Sequence, residues 1–266
     1  MNKEVFQKAY EESVSQLRSY ILRMTASVED TEDLMQDTWI KASRNLSSFK
    51  GDSSIKTWIF AIASNLTIDN LRKKKRWPEN VTDICKDAAK KNPKHFQETL
   101  QIMETSAHAK FEIKEHIAFC FTCIAKSLPL EQHLCILLKE VYGFKIQEVS
   151  QILDTRPARV KYHLYTARKK MIDVFEGRCA LINKEGVCHQ CSEINGIFNP
   201  KQNTQEELVK IKMAKEAEKG EKERLLDLRL QVLKDLDPYH SSAHDLQLHH
   251  LEHNRRVMEQ YLKEKE

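Results

Sequence analysis

Three sets of residues in this chain have types and spacings that could do chemistry. The first opens on a polar loop, Phe49, Lys50, Gly51, Asp52, Ser53 and Ser54, and passes Lys56 and Asn65 in an apolar helical stretch. It ends in five consecutive cations, Arg72, Lys73, Lys74, Lys75 and Arg76, before Trp77. A structural helix needs only its apolar face, so the loop and the basic tail call for a partner. The plainer account of the cations is that they complement the helix dipole at a C-terminus. The second set is Arg156, Arg159, Lys161, Tyr162, His163, Arg168 and Lys169. Arginine binds guanine edges bidentately and lysine mostly meets phosphates, so on one helix face these residues could read DNA; an ordinary solvated face is the alternative. The third is the cysteine set, "CFTC" at Cys120 and Cys123 and "CALINKEGVCHQC" with Cys179, Cys188, His189 and Cys191. Zinc takes four N or S ligands in a tetrahedron. Cys179, Cys188, His189 and Cys191 make one candidate set, and the two Cys-x-x-Cys pairs joined across the fold make another. Redox-sensing thiols or plain packing are the other readings.

These residues sit in a chain of helical character. Six glycines and six prolines are few for 266 residues, and Lys, Glu, Leu, Ala and Gln dominate the periodic segments. Apolar residues recur near a 3.6-residue period at Phe6, Ala9, Tyr10, Leu17, Tyr20, Ile21 and Met24. They recur again at Leu34, Met35, Thr38, Trp39, Ala42 and Leu46, and a third time at Ile55, Ile59, Ile62, Ala63 and Leu66. Asp33, Gln36, Asp37 and Lys41 fall opposite the second stripe. Trp39 and Trp58 read as core, because aromatics bury large areas. Pro78 ends the third helix, and residues 78–110, polar and broken by "KNPK", read as a linker. From Gly143, "GFKIQEVSQILDTRPARVKYHLYTARKKM" gives a short helix with Ile146, Val149, Ile152 and Leu153. A turn at Asp154 and Thr155 follows, then a helix with Val160, Leu164, Ala167 and Met171 inward. That is the layout of a DNA-binding helix-turn-helix.

A net charge of +4 is too mild to identify a nucleic-acid binder, but its distribution is uneven. Acidic residues gather between Glu29 and Asp37, and basic ones at 72–76 and 156–170. The first residues, "MNKEVFQKAYEES", do not read as a signal peptide, and no run approaches the roughly 20 apolar residues of a membrane span. A cytoplasmic setting with reduced cysteines and no membrane partner is expected.

With both units in view the chain resembles bacterial RNA polymerase sigma factors, specifically the extracytoplasmic-function group. "EDLMQDTW" and "FKGDSSIKTWIFAIASNLTIDNLRKKKR" follow that family's patterns in the family's order, ahead of the helix-turn-helix. The resemblance implies an all-α fold of two small helical domains. Sigma domain 2, a three-helix-type bundle, would span 1–77 and sigma domain 4 would span 111–176, joined by the linker 78–110. A cysteine-bearing loop at 177–203 and a charged helical tail at 204–266 would complete the chain. The resemblance further implies that Asp33, Gln36 and Asp37 dock on a coiled-coil of the polymerase β′ subunit. Residues 49–54 and the following helix would receive the single-stranded −10 element, with Lys56, Asn65 and the cations 72–76 along the same DNA. The second helix of the helix-turn-helix would read −35 DNA. No catalytic activity and no required cofactor are implied. The family's recognition helix usually reads Val-Gly-Thr-Val-Lys-Ser-Arg where this chain has "PARVKYH", so the −35 sequence is not inherited through Ala158, Arg159, Tyr162 and His163.

The rival reading is a stand-alone helix-turn-helix regulator; a thiol- or metal-dependent enzyme is a second, with no nucleophile–base pair to support it. In the tail, Leu225, Leu228, Val232 and Leu236 form a stripe that could dock on the sigma domains or on a partner such as an anti-sigma protein. His249 and His253 are spaced to share a metal, but with no third ligand evident they read as a solvated face.

Overall fold

The structure, a computed structural model, describes residues 2–107, 113–178, 219–240 and 244–266. Every regular element among the described residues is helical, and none is long and apolar enough to cross a membrane. In chain order they are α1 (Lys3–Thr25), α2 (Val28–Arg44), α3 (Ile55–Arg72), α4 (Val81–Lys90), α5 (Pro93–Thr105) and α6 (Ile113–Ala125). Then come α7 (Leu130–Ile136, continued by a wider turn to Val141), α8 (Ile146–Ile152), α9 (Pro157–Arg178), α10 (Lys222–Lys234) and α11 (His244–Lys263). The chain forms two compact units, Met1–Arg76 with Pro129–Ala167, and Trp77–Leu128 with Arg168–Glu266. The units therefore interleave along the chain, and α9 contributes to both.

In the first unit α1, α2 and α3 close a bundle around Leu17, Tyr20, Ile21, Met24, Leu34, Ala42, Ile59, Phe60 and Ala63. Local chemistry sets each start. Asn2, Ser27 and Ser54 accept the backbone N–H of Glu4, Asp30 and Thr57 at 3.0, 3.2 and 3.0 Å, taking up donors a helix start leaves unpaired. Inside the bundle the buried Tyr20 hydroxyl shares a 2.9 Å hydrogen bond with Ser64. Replacing Tyr20 by Phe is expected to cost about 1 kcal/mol, because it strips a buried hydroxyl of its partner. Urea unfolding of the variant measures it. Trp39 departs from the core expectation: it stacks on Phe6 at 5.3 Å and meets Tyr10 edge-on at 4.8 Å, yet stays 37% exposed at the bundle rim.

The helix-turn-helix belongs to this first unit. Val149 and Ile152 of α8 and Val160, Leu164 and Ala167 of α9 are buried as the pattern requires. The turn is made by backbone geometry, since Asp154 takes a left-handed φ of 45° and Ser150 donates its hydroxyl to the Thr155 carbonyl. Pro157 then supplies the first helical residue, where its missing N–H costs nothing.

The second unit differs from the sequence reading at residues 78–110, which form α4 and α5 where a linker was expected. The Asn92–Pro93 pair, read as a breaker, starts α5: Asn92 caps the His95 N–H at 3.2 Å and Pro93 occupies the first turn. Both helices pack on α11, and α4 also meets α6. Their apolar faces are thin because the burying partner lies far along the sequence. In α10 the buried face is Leu225, Leu226, Leu230 and Leu233, turned from the expected stripe, whose Leu228, Val232 and Leu236 are only half-buried. Both stripes obey the helical period; packing on α6 selects one. Phe175 stacks on Phe121 at 6.1 Å, and the Arg229 guanidinium lies 4.3 Å over the Phe175 ring.

Candidate nucleic-acid interface

The loop before α3 takes its shape from two residues. Gly51 has φ of 83°, a left-handed conformation that disfavours any side chain. Ser54 turns the chain into α3 as its N-cap, sharing a further 2.8 Å hydrogen bond with the Thr57 hydroxyl. Lys50, Gly51, Asp52 and Ser54 are exposed; Phe49 and Ser53 are half-buried, with Phe49 edge-on to Trp58 at 5.6 Å. Asn65 faces solvent one helical face away.

Lys56 is not a free cation. Its ammonium donates to Gln16 at 2.6 Å and lies 5.2 and 5.9 Å over the Phe144 and Phe60 rings. Partial burial lowers its pKa, and the nearby Glu148 carboxylate opposes that shift. The terminal cations differ in exposure. Arg72, Lys73 and Lys75 are exposed, Arg72 only 4.0 Å from Asp69. Lys74 pairs with Asp30 at 2.6 Å. Arg76 turns inward to 3.2 Å from His133 Nδ1, and burial brings its pKa down to about 10 against the pull of Glu131.

The helix-turn-helix packs directly over this entrance. Gln151 of α8 donates to the Asp52 carbonyl at 3.2 Å, and Thr57 approaches Glu148 at 3.5 Å. Phe144, in the turn before α8, meets Phe60 edge-on at 4.8 Å. The loop and the supporting helix of the DNA-reading element thus share one interface, which the sequence does not announce.

On the outer faces, Asp33, Gln36 and Asp37 all project from α2 into solvent, opposite buried Leu34 and Thr38. Arg156, just before α9, and Arg159, Lys161 and Lys169 along it are exposed, and Tyr162 and Tyr165 are 61% and 68% exposed between them. His163 is half-buried against Tyr162 at 5.5 Å, with neither ring nitrogen hydrogen-bonded. Burial first, and Arg159 with it, lower its pKa, and Glu131 opposes that shift. Arg168 is engaged by α10, with Glu223 at 2.9 Å and Asp227 at 2.7 Å. Cys123 is buried and accepts from Asn254 at 3.5 Å, as a core cysteine should. The candidate zinc set Cys179, Cys188, His189 and Cys191 lies outside the described residues.

An acidic outward face on a three-helix bundle, a glycine-bearing loop and a helix-turn-helix with a cationic, aromatic outer face are the parts expected of a sigma-type protein. The comparisons agree with that class. The family model for Sigma-70 region 2 matches residues 9–77, and that for Sigma-70 region 4 matches 118–171. The chain is 29% identical over 140 residues to the ECF RNA polymerase sigma-E factor of Escherichia coli K12, covering 53% of this chain and 71% of that one. It is 27% identical over 172 residues to the RNA polymerase sigma factor YlaC of Bacillus subtilis 168, covering 64% and 91%. Among solved structures, the sigma factor RpoE of Bartonella quintana, in complex with the anti-sigma factor NepR, aligns at TM-score 0.44 and 18% identity over 65% of this chain and 98% of that one. The chain carries Sigma-70 regions 2 and 4, is similar to extracytoplasmic-function sigma factors, and directs transcription initiation by RNA polymerase. A stand-alone helix-turn-helix regulator leaves the region 2 match without a role.

Proposed function

We propose that this sigma factor docks on core RNA polymerase, at the β′ coiled-coil, through Asp33, Gln36 and Asp37, and acts in the cytoplasm. It receives single-stranded −10 DNA at residues 49–54 and the start of α3, with Arg72, Lys73 and Lys75 along the phosphates. The exposed face of α9 reads −35 DNA through Arg159 and Tyr162, with Lys161 and Lys169 on phosphates. The observation that carries this reading is that Asp33, Gln36 and Asp37 on α2, and Arg159, Lys161, Tyr162 and Lys169 on α9, face solvent from helices whose other faces are buried. The test is transcription from genomic fragments with core polymerase, with and without the chain. New discrete start sites support the reading; a chain that neither binds core polymerase nor changes start sites refutes it.

Two further outcomes follow from the same geometry. Arg159→Ala is expected to weaken promoter selection by about 1–3 kcal/mol at one −35 base pair, whereas Lys161→Ala weakens binding uniformly and flattens its salt dependence. Transcription from a promoter library with single −35 substitutions separates the two. Because α8 seals the loop through Gln151 and Glu148, the free chain is a resting form. Replacing both by Ala should raise its affinity for single-stranded −10 oligonucleotides several-fold, on the order of 1 kcal/mol for a lost hydrogen bond. Fluorescence anisotropy that reads equal affinities would count against a sealed loop.

A further inference from the structure

The most concentrated group of metal-ligating side chains among the described residues lies away from the nucleic-acid face, where α5 packs on α11 in the second unit. His95, at the start of α5, is buried between rings of α11: His253 at 3.8 Å, His249 at 4.5 Å, both near-parallel, and His250 edge-on at 5.5 Å. Glu98 follows one turn later on α5. One ligand atom each of His95, Glu98 and His249 lie within 4.8 Å of one another. His95 Nδ1 and the Nε2 atoms of His249, His250 and His253 are buried with no hydrogen-bond partner. Four clustered imidazoles with orphaned nitrogens are an expensive way to build an apolar seam, since a buried lone pair or N–H left unanswered carries a penalty. Leucines would fill that space without the penalty.

The same arrangement is well suited to a cation. His249 and His253 are one turn apart on α11, and Glu98 contributes a negative charge from its half-exposed position near Lys94. Neutral imidazole with carboxylate favours zinc and its first-row neighbours over calcium or magnesium. Zinc ligands stand about 2.0–2.1 Å from the metal, so the three donors need to close by roughly an ångström, which rotations of Glu98 and His249 provide.

We infer that His95, Glu98 and His249, with solvent completing the coordination, form a divalent transition-metal site that pins the C-terminal helix α11 onto α5. His249 thereby acquires the further ligands it lacked in the sequence, supplied by the segment read as a linker.

The test uses the full chain, stripped with chelator and titrated with zinc against a chromophoric competitor. A Cys179→Ser, Cys188→Ser, Cys191→Ser background removes the tail thiolates as a competing site. That background is expected to bind one zinc and to melt at higher temperature with zinc than without. Cobalt in place of zinc should give a tetrahedral visible spectrum without a thiolate charge-transfer band. His249→Ala should weaken binding at least 100-fold, since even outer-shell partners are worth about 10–100-fold. Glu98→Gln, at a half-exposed position, repeats the loss in a variant whose helical content by circular dichroism is unchanged. The inference is overturned if the background binds no zinc, or binds it equally well in the His249→Ala and Glu98→Gln variants.

Discussion

Reversing both charges on the exposed face of α2, by Asp33→Arg with Asp37→Arg, is expected to abolish promoter-directed transcription while leaving the chain folded. The two carboxylates stand four residues apart on one face, both fully in solvent, so neither holds the bundle together. The buried side of the same helix, Leu34, Met35, Thr38 and Ala42, is untouched. Surface changes of this kind move stability by no more than about 0.5 kcal/mol. A docking surface behaves otherwise. Like charges brought together across an interface cost several kcal/mol, so core polymerase binding should fall by at least about 100-fold. The measurement is binding of labelled core polymerase alongside multi-round transcription, with thermal melting as the folding control. A double variant that melts normally and transcribes normally would place the polymerase contact elsewhere.

What the sequence made legible follows from where each helix finds its partners. The first three helices bury residues against one another within a short stretch of chain, and their caps at Asn2, Ser27 and Ser54 are local. The position of Asp33, Gln36 and Asp37 was readable for the same reason, as the positions the apolar stripe leaves over. Residues 78–110 gave no such signal. Val81 and Cys85 are buried only because helices far along the chain cover them, with Cys85 reaching the Asn254 carbonyl at 3.8 Å. His95 shows the same effect in a polar residue: its neighbours are His249 and His253, and nothing near it in sequence announces them.

Charge was visible in the sequence, but its use was not. Lys56, Lys74, Arg76 and Arg168 read as four more cations of a DNA surface, yet each has a protein partner, Gln16, Asp30, His133 and the Glu223–Asp227 pair respectively. A pattern of cations sets an electrostatic footprint. Which of them are held back depends on tertiary neighbours that spacing cannot report.

Phe60 is where the bundle and the helix-turn-helix are joined most tightly, and Phe60→Ala should cost about 3–5 kcal/mol. The ring is fully buried and meets Tyr20 at 5.4 Å, Tyr142 at 6.2 Å and Phe144 at 4.8 Å. Tyr20 comes from α1, whereas Tyr142 and Phe144 come from the turn before α8, so one side chain is shared by both parts of the first unit. Removing it opens a cavity among aromatics that cannot collapse, and it also removes a face on which the Lys56 ammonium rests. Urea unfolding should show the midpoint shift expected of that loss. Phe60→Leu, which keeps most of the volume, should recover more than half of it. A substitution confined to the bundle core would only destabilise. This one should also release the loop at residues 49–54, so single-stranded −10 DNA should bind the free Phe60→Leu chain more tightly than the parent. If affinity for that DNA stays level while stability falls, Phe60 is core alone, and the seal over the loop rests on Gln151 and Glu148.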